Sequence, residues 1–90
     1  MKVLITEPAL KDIGAIREYL AEKYPHVLLS VERRLRLSLA RIATWPEGAQ
    51  KVAERPNVRV VPLVRYPYKI FYRLRRGAVE ILHVHHSSRS

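Results

Sequence analysis

The chain of 90 residues contains no cysteine, so no disulfide framework supports its fold and no thiolate is at hand as nucleophile or zinc ligand. With only 3 glycines it has no glycine-rich loop to cradle a phosphate. HExxH and GxSxG patterns are also missing, which removes the usual signatures of nucleotide hydrolysis, zinc peptidase and acyl-enzyme chemistry. No apolar run approaches the roughly 20 residues of a membrane span, and Met1 to Ile5 is too short for a signal-peptide core. No membrane role is expected, and a cytoplasmic location fits best. Repeats and low-complexity segments are lacking as well. Acidic charge is scarce: 8 Asp and Glu stand against 17 Lys and Arg, a formal net charge of +9.

The basic excess is unevenly placed. Residues 1–50 hold 8 basic and 6 acidic side chains, whereas residues 51–90 hold 9 and 2. Such asymmetry points to a polyanionic target or an acidic partner. An apolar content of 48%, in a chain that buries roughly 60 to 65% of its unfolded surface, makes one domain spanning 1–90.

The clearest organisation lies between Val58 and Arg89. Tyr66, Tyr68, Ile70, Tyr72 and Leu74 alternate with Lys69, Phe71 and Arg73, the period-two signature of a strand. Arg75-Arg76-Gly77 breaks that pattern, and Gly77 can take the positive φ of a tight hairpin before Ala78 to Val84 resume as a second strand. Upstream, Val58 to Arg65 is a third β-branched run, with Tyr66-Pro67 as the turn after it. Pro62 cannot donate a ladder hydrogen bond, which places this run at an edge or at a bulge. The short apolar segment Lys2 to Ile5 needs a sheet to join, and this meander is available to it.

Between them the spacing is helical. Thr6 is a candidate N-cap with Glu7 and Pro8 in the first turn, and Ala9, Ile13, Ile16 and Leu20 form one stripe with Lys11, Asp12, Arg17, Glu18 and Glu22 off it. Gly14 in a helix interior suggests a close approach by a second helix. Tyr24-Pro25 ends the first helix and starts the next. From His26 to about Ala43, Leu28, Val31, Leu35, Leu39 and Ile42 repeat helically, while Val27, Leu29 and Leu37 widen the apolar arc. That width means either a helix sandwiched between the first helix and the sheet, the simpler cause, or a surface left open for a partner. Its polar face carries Arg33, Arg34, Arg36 and Arg41, with Glu32 and Arg36 at pairing distance. Thr44 to Gly48 stops it, with Trp45 as a lid on the core, and Gln50 to Asn57 reads as a loop. The fold class is α+β: a strand, a helical hairpin, then a three-stranded antiparallel meander with both helices on one face.

Chemically, His83, His85 and His86 cluster, and His83 and His85 share a strand face. No Asp, Glu or Cys beside them completes a ligand set, so neither a metal nor a cofactor is expected. Metal-free RNA cleavage would need a base, a cation on the phosphorane and an acid. Arg59, Arg65, Lys69, Arg73 and Arg89 can supply cations, and one of the three histidines can move a proton. Each such arginine is more often a solvated strand residue.

Several stretches taken together resemble the RelE/ParE superfamily of type II toxin–antitoxin toxins. They are Ala9-Leu10-Lys11-Asp12-Ile13 leading to Tyr19, Trp45-Pro46-Glu47-Gly48, Tyr66-Pro67-Tyr68-Lys69-Ile70-Phe71-Tyr72-Arg73, and Val79 through His86 to Arg89. The resemblance implies a growth-halting protein neutralised by a cognate acidic antitoxin, which wraps it in a toxin–antitoxin hetero-oligomer. In the RelE branch such proteins cleave mRNA in the ribosomal A site; in the ParE branch they poison DNA gyrase. Arg59 looks like the basic residue of the first meander strand, Arg89 like the C-terminal arginine, and His86 stands three positions before it. These three are the catalytic candidates if the chain is a ribonuclease. No Tyr follows Arg89, and only Lys51 and Arg55 add cations before Arg59, so the resemblance is closer to the ParE branch. Arg65, Lys69, Phe71, Arg73, Leu29 and Leu37 are the candidates for contact with target or antitoxin. A non-toxic, basic nucleic-acid-binding module is the remaining alternative.

Overall fold

In the computed structural model, which describes residues 1–88, the chain runs β1 (Lys2–Ile5), α1 (Glu7–Lys23), α2 (Pro25–Thr44), β2 (Gln50–Lys51), β3 (Val58–Pro62), β4 (Tyr68–Arg75) and β5 (Ala78–His86). The helix boundaries follow the expected chemistry. Thr6 Oγ1 accepts from the Ala9 N–H at 3.4 Å, satisfying one of the orphan donors of α1. The same hydroxyl donates to the Ile81 carbonyl at 2.7 Å, which ties the start of α1 to β5. Tyr24 separates the helices and Pro25 opens the second.

The five strands lie in the order β1-β5-β4-β3-β2. β1 runs parallel to β5, with Lys2 opposite Ala78 and Ile5 opposite Ile81, and the other pairings are antiparallel. Within the segment read as a loop, Gln50 and Lys51 form a two-residue strand against Val60 and Arg59. Two residues are too few to show a period. β3 therefore is not an edge strand, but Pro62 ends it, past the reach of β2. The β3–β4 connection takes up residues 63–67, closed by the Leu63 N–H on the Tyr68 carbonyl at 2.8 Å and bent through Arg65 at φ 76°. β3 consequently stops three residues short of Arg65. Between β4 and β5, Arg76 and Gly77 have φ of 53° and 77°, the pair of positive values that a type I′ hairpin requires.

Tyr68, Ile70 and Tyr72 turn inward as the alternation predicts. Ile70, Tyr72, Val79 and Ile81 are fully buried and pack with Ala9 and Leu20 of α1 and Val31 and Ile42 of α2. Burying each such side chain is worth roughly 1.5–3 kcal/mol. A bulge interrupts β5: Phe71 faces His83 but Tyr72 faces Ile81, so Leu82 has no opposite number. The extra residue reverses the alternation. Val79 and Ile81 point inward before it and Val84 after it, leaving His83 and His85 on the outer face with Lys69 and Phe71.

Gly14 meets nothing within 4 Å of where a Cβ would stand, so no helix approaches it. Gly14→Ala is accordingly expected to raise stability by about 1 kcal/mol through helix propensity and a less flexible unfolded chain. Thermal melting checks it, and a lowered midpoint would show that the position needs glycine. Trp45 is 65% exposed and lids nothing. On α2, Val27, Leu28, Leu35 and Leu39 pack against the core, whereas Leu29 and Leu37 stay 74% and 54% exposed. The wide apolar arc is thus partly open. Glu32 pairs across to Arg17 of α1 at 2.6 Å instead of serving Arg36 on its own helix.

Candidate functional site

Arg59 stands directly opposite Tyr72, so the two side chains share the helix-facing side of the sheet. Both reach the corner that follows α2. The Tyr72 hydroxyl donates to the Pro46 carbonyl at 2.7 Å, while Arg59 Nη1 donates to the carbonyls of Ala49 at 2.7 Å and Glu47 at 3.1 Å. Arg59 is thereby the clasp that turns the chain from α2 into β2. Burial holds the Tyr72 hydroxyl above its ordinary pKa, against smaller opposing effects of the Arg59 charge and the Ala49 backbone. Tyr68 is raised too, first by burial and then by Tyr19. Neither phenol can act as a base near neutral pH.

His86 sits opposite Tyr68, with the two rings edge-on at 5.7 Å. Its Nδ1 accepts from the Ser88 N–H at 3.2 Å, and the Ser88 hydroxyl lies 2.8 Å from the same nitrogen. In the neutral ring this leaves the proton on Nε2. Arg59 and His86 are separated by four residues along β4 and two strands across, on the order of 16 Å. The fold does not bring these two candidates together, and Arg89 lies outside the described residues.

The outer face gathers others. Lys69 Nζ lies 5.5 Å over the Phe71 ring, Phe71 is 5.5 Å from His85, and Arg73 Nε holds Glu80 Oε1 at 2.7 Å. His83 and His85 are 4.8 Å apart, centroid to centroid. Asp12 of α1 joins them, a residue that nothing near the histidines in sequence announces. β1 ends at Ile5, opposite Ile81, so the next stretch of β5 has no strand beside it and α1 passes there instead. Asp12 Oδ2 accepts the Val84 N–H at 3.0 Å, lies 3.0 Å from His83 Nδ1 and 3.8 Å from His85 Nε2. Only the topology announces this contact, because the parallel β1–β5 pairing is what puts residue 12 against residue 83.

A third region is apolar and basic. Leu29 and Leu37 lie on the exposed stripe of α2 among Arg33, Arg36 and Arg41. Leu37, Arg34, Arg41, Trp45 and Val64 line one groove, in which Trp45 is a wall. Arg65 is exposed at the tip of the β3–β4 connection, one residue from Val64.

Comparison with known proteins places these features in a context. Residues 3–90 match the family described as ParE toxin of type II toxin-antitoxin system, parDE. The chain is 33% identical over 89 residues to Toxin RelE2 of Caulobacter vibrioides, covering 98% of this chain and 97% of that one. Among solved structures it is similar to the chromosomal ParDE TA system from P. aeruginosa, with TM-score 0.83, 23% identity, and 96% and 95% of the two chains covered. It is also similar to the isolated E. coli RelE toxin, with TM-score 0.64, 18% identity, and coverage of 99% and 86%. Both structural likenesses concern the fold.

Proposed function

The chain belongs to the ParE toxin family of type II toxin–antitoxin systems, and from that premise we propose that it halts growth by poisoning DNA gyrase rather than by cutting mRNA. The observation that carries this reading is the engagement of Arg59. A nuclease needs cations and a proton-transfer group converging on one phosphate. Here the guanidinium is turned onto two backbone carbonyls, and the backbone of His86 is on the order of 16 Å from that of Arg59. A poison needs instead a surface that grips its target. Lys69, Phe71 and Arg73 on the outer face of β4, with Arg65 beside them in sequence, serve that role. The α2 stripe and the Trp45 groove, apolar with arginines around them, suit an amphipathic acidic antitoxin segment.

Trapping of gyrase cleavage complexes tests this. Purified protein with gyrase and supercoiled plasmid is expected to accumulate linear DNA, and prior addition of antitoxin to prevent it. Arg59→Ala should lower folding stability by about 1–2 kcal/mol through its lost charged hydrogen bonds and still yield linear DNA at temperatures where it is folded. Absence of linear DNA, together with codon-positioned cuts in ribosome-bound mRNA that Arg59→Ala abolishes, would overturn the reading in favour of the ribonuclease.

A further inference from the structure

We infer that Asp12 Oδ2, His83 Nδ1 and His85 Nε2 form a site for one divalent transition-metal ion of the zinc class. The three atoms lie within 4.8 Å of one another, the nearer separations being 3.0 and 3.8 Å. A tetrahedral ion with bonds of about 2.1 Å keeps its ligand atoms about 3.4 Å apart. Closing the triplet on an ion therefore takes side-chain shifts of about 1 Å or less, with the metal taking the place of the hydrogen that now lies between Asp12 and His83. Two imidazoles and one carboxylate are the donor set of zinc and its neighbours, not of magnesium or calcium, which take oxygen ligands throughout.

The surroundings hold the ligands in place. The Val84 N–H fixes the Asp12 carboxylate, as an outer-shell hydrogen bond fixes a metal ligand. The Leu82 bulge sets both histidines on one face of a strand paired on its far side with β4, and the Phe71 ring backs His85. All three side chains are partly exposed, so an ion can enter, and three protein ligands leave a fourth position for water or a donor from a partner chain. The bound ion would join α1 to β5 across 71 residues of sequence. This inference goes beyond the gyrase reading and does not depend on it.

The test uses tag-free protein stripped with chelator. Isothermal titration with Zn²⁺ is expected to give one equivalent, Co²⁺ to give the visible d–d bands of a tetrahedral site that Zn²⁺ then removes, and Zn²⁺ to raise the melting temperature by several degrees. His85→Gln should weaken binding at least about tenfold. So should Asp12→Asn, whose amide oxygen still accepts the Val84 N–H and keeps the fold. Circular dichroism verifies that both variants are folded. Failure of the parent protein to bind, or binding that survives in both variants, would overturn the inference.

Discussion

Tyr72→Ala is expected to lower the free energy of unfolding by about 4 kcal/mol, since deleting a buried aromatic side chain typically loses 3–5 kcal/mol. Tyr72 is completely buried at the middle of the sheet, flanked by Arg59 on β3 and Ile81 on β5. Its hydroxyl is the contact that holds Pro46. Removing the ring leaves a cavity and frees the corner after α2 at once, a large share of the roughly 5–15 kcal/mol that keeps a small domain folded. Urea denaturation with an unchanged slope checks the value. A loss below about 2 kcal/mol would mean that the Trp45–Gly48 corner collapses into the space.

Tyr72→Phe separates the two contributions. It keeps the ring and loses the hydroxyl bond, about 1 kcal/mol, and it also changes the response to alkali. Because burial raises the Tyr72 pKa, the folded chain holds that proton more tightly than the unfolded chain does. The associated stability is complete below the ordinary value of 10.0 and is lost as the pH rises through the folded-state value. The phenylalanine variant should therefore lose stability less steeply above about pH 10.

The second large effect is expected at the exposed stripe of α2, the surface proposed above for the antitoxin. Replacing both Leu29 and Leu37 by Asp should weaken antitoxin binding about 100-fold, or about 2.7 kcal/mol, with melting behaviour little changed because both side chains are already exposed. The substitution removes apolar anchors and places like charge against the acidic antitoxin segment proposed above. Calorimetry of the toxin–antitoxin pair measures it. Unaltered affinity would assign the antitoxin to another face and leave the exposed leucines without a role.

Much of this architecture can be read from residues whose physics is local. A threonine before Glu-Pro starts a helix, Tyr-Pro divides two, and strict alternation from Tyr66 to Leu74 decides which side of β4 meets the core. What stays illegible depends on partners that leave no mark on the residue itself. Nothing about Lys2 to Ile5 says that it runs parallel to β5 instead of antiparallel to another strand. Leu82 has no feature that identifies a bulge, yet it alone sends His83 and His85 outward while Ile81 and Val84 point in. Arg59 resembles any strand arginine, because the carbonyls that it holds are common to every residue. Asp12 looks like a solvated helix position until β1 fixes where α1 must pass.

The order of the sheet also bears on how the protein is made. Among the described strands β5 is synthesised last, yet it lies between β1 and β4 and carries Val79 and Ile81 into the centre of the core. Until it emerges from the ribosome, β1 has no strand to pair with and α1 has nothing to hold Thr6 or Asp12. The pairing that completes the fold joins the two ends of the described chain, the slowest kind of contact to form. A nascent copy therefore cannot close this sheet until β5 has been released.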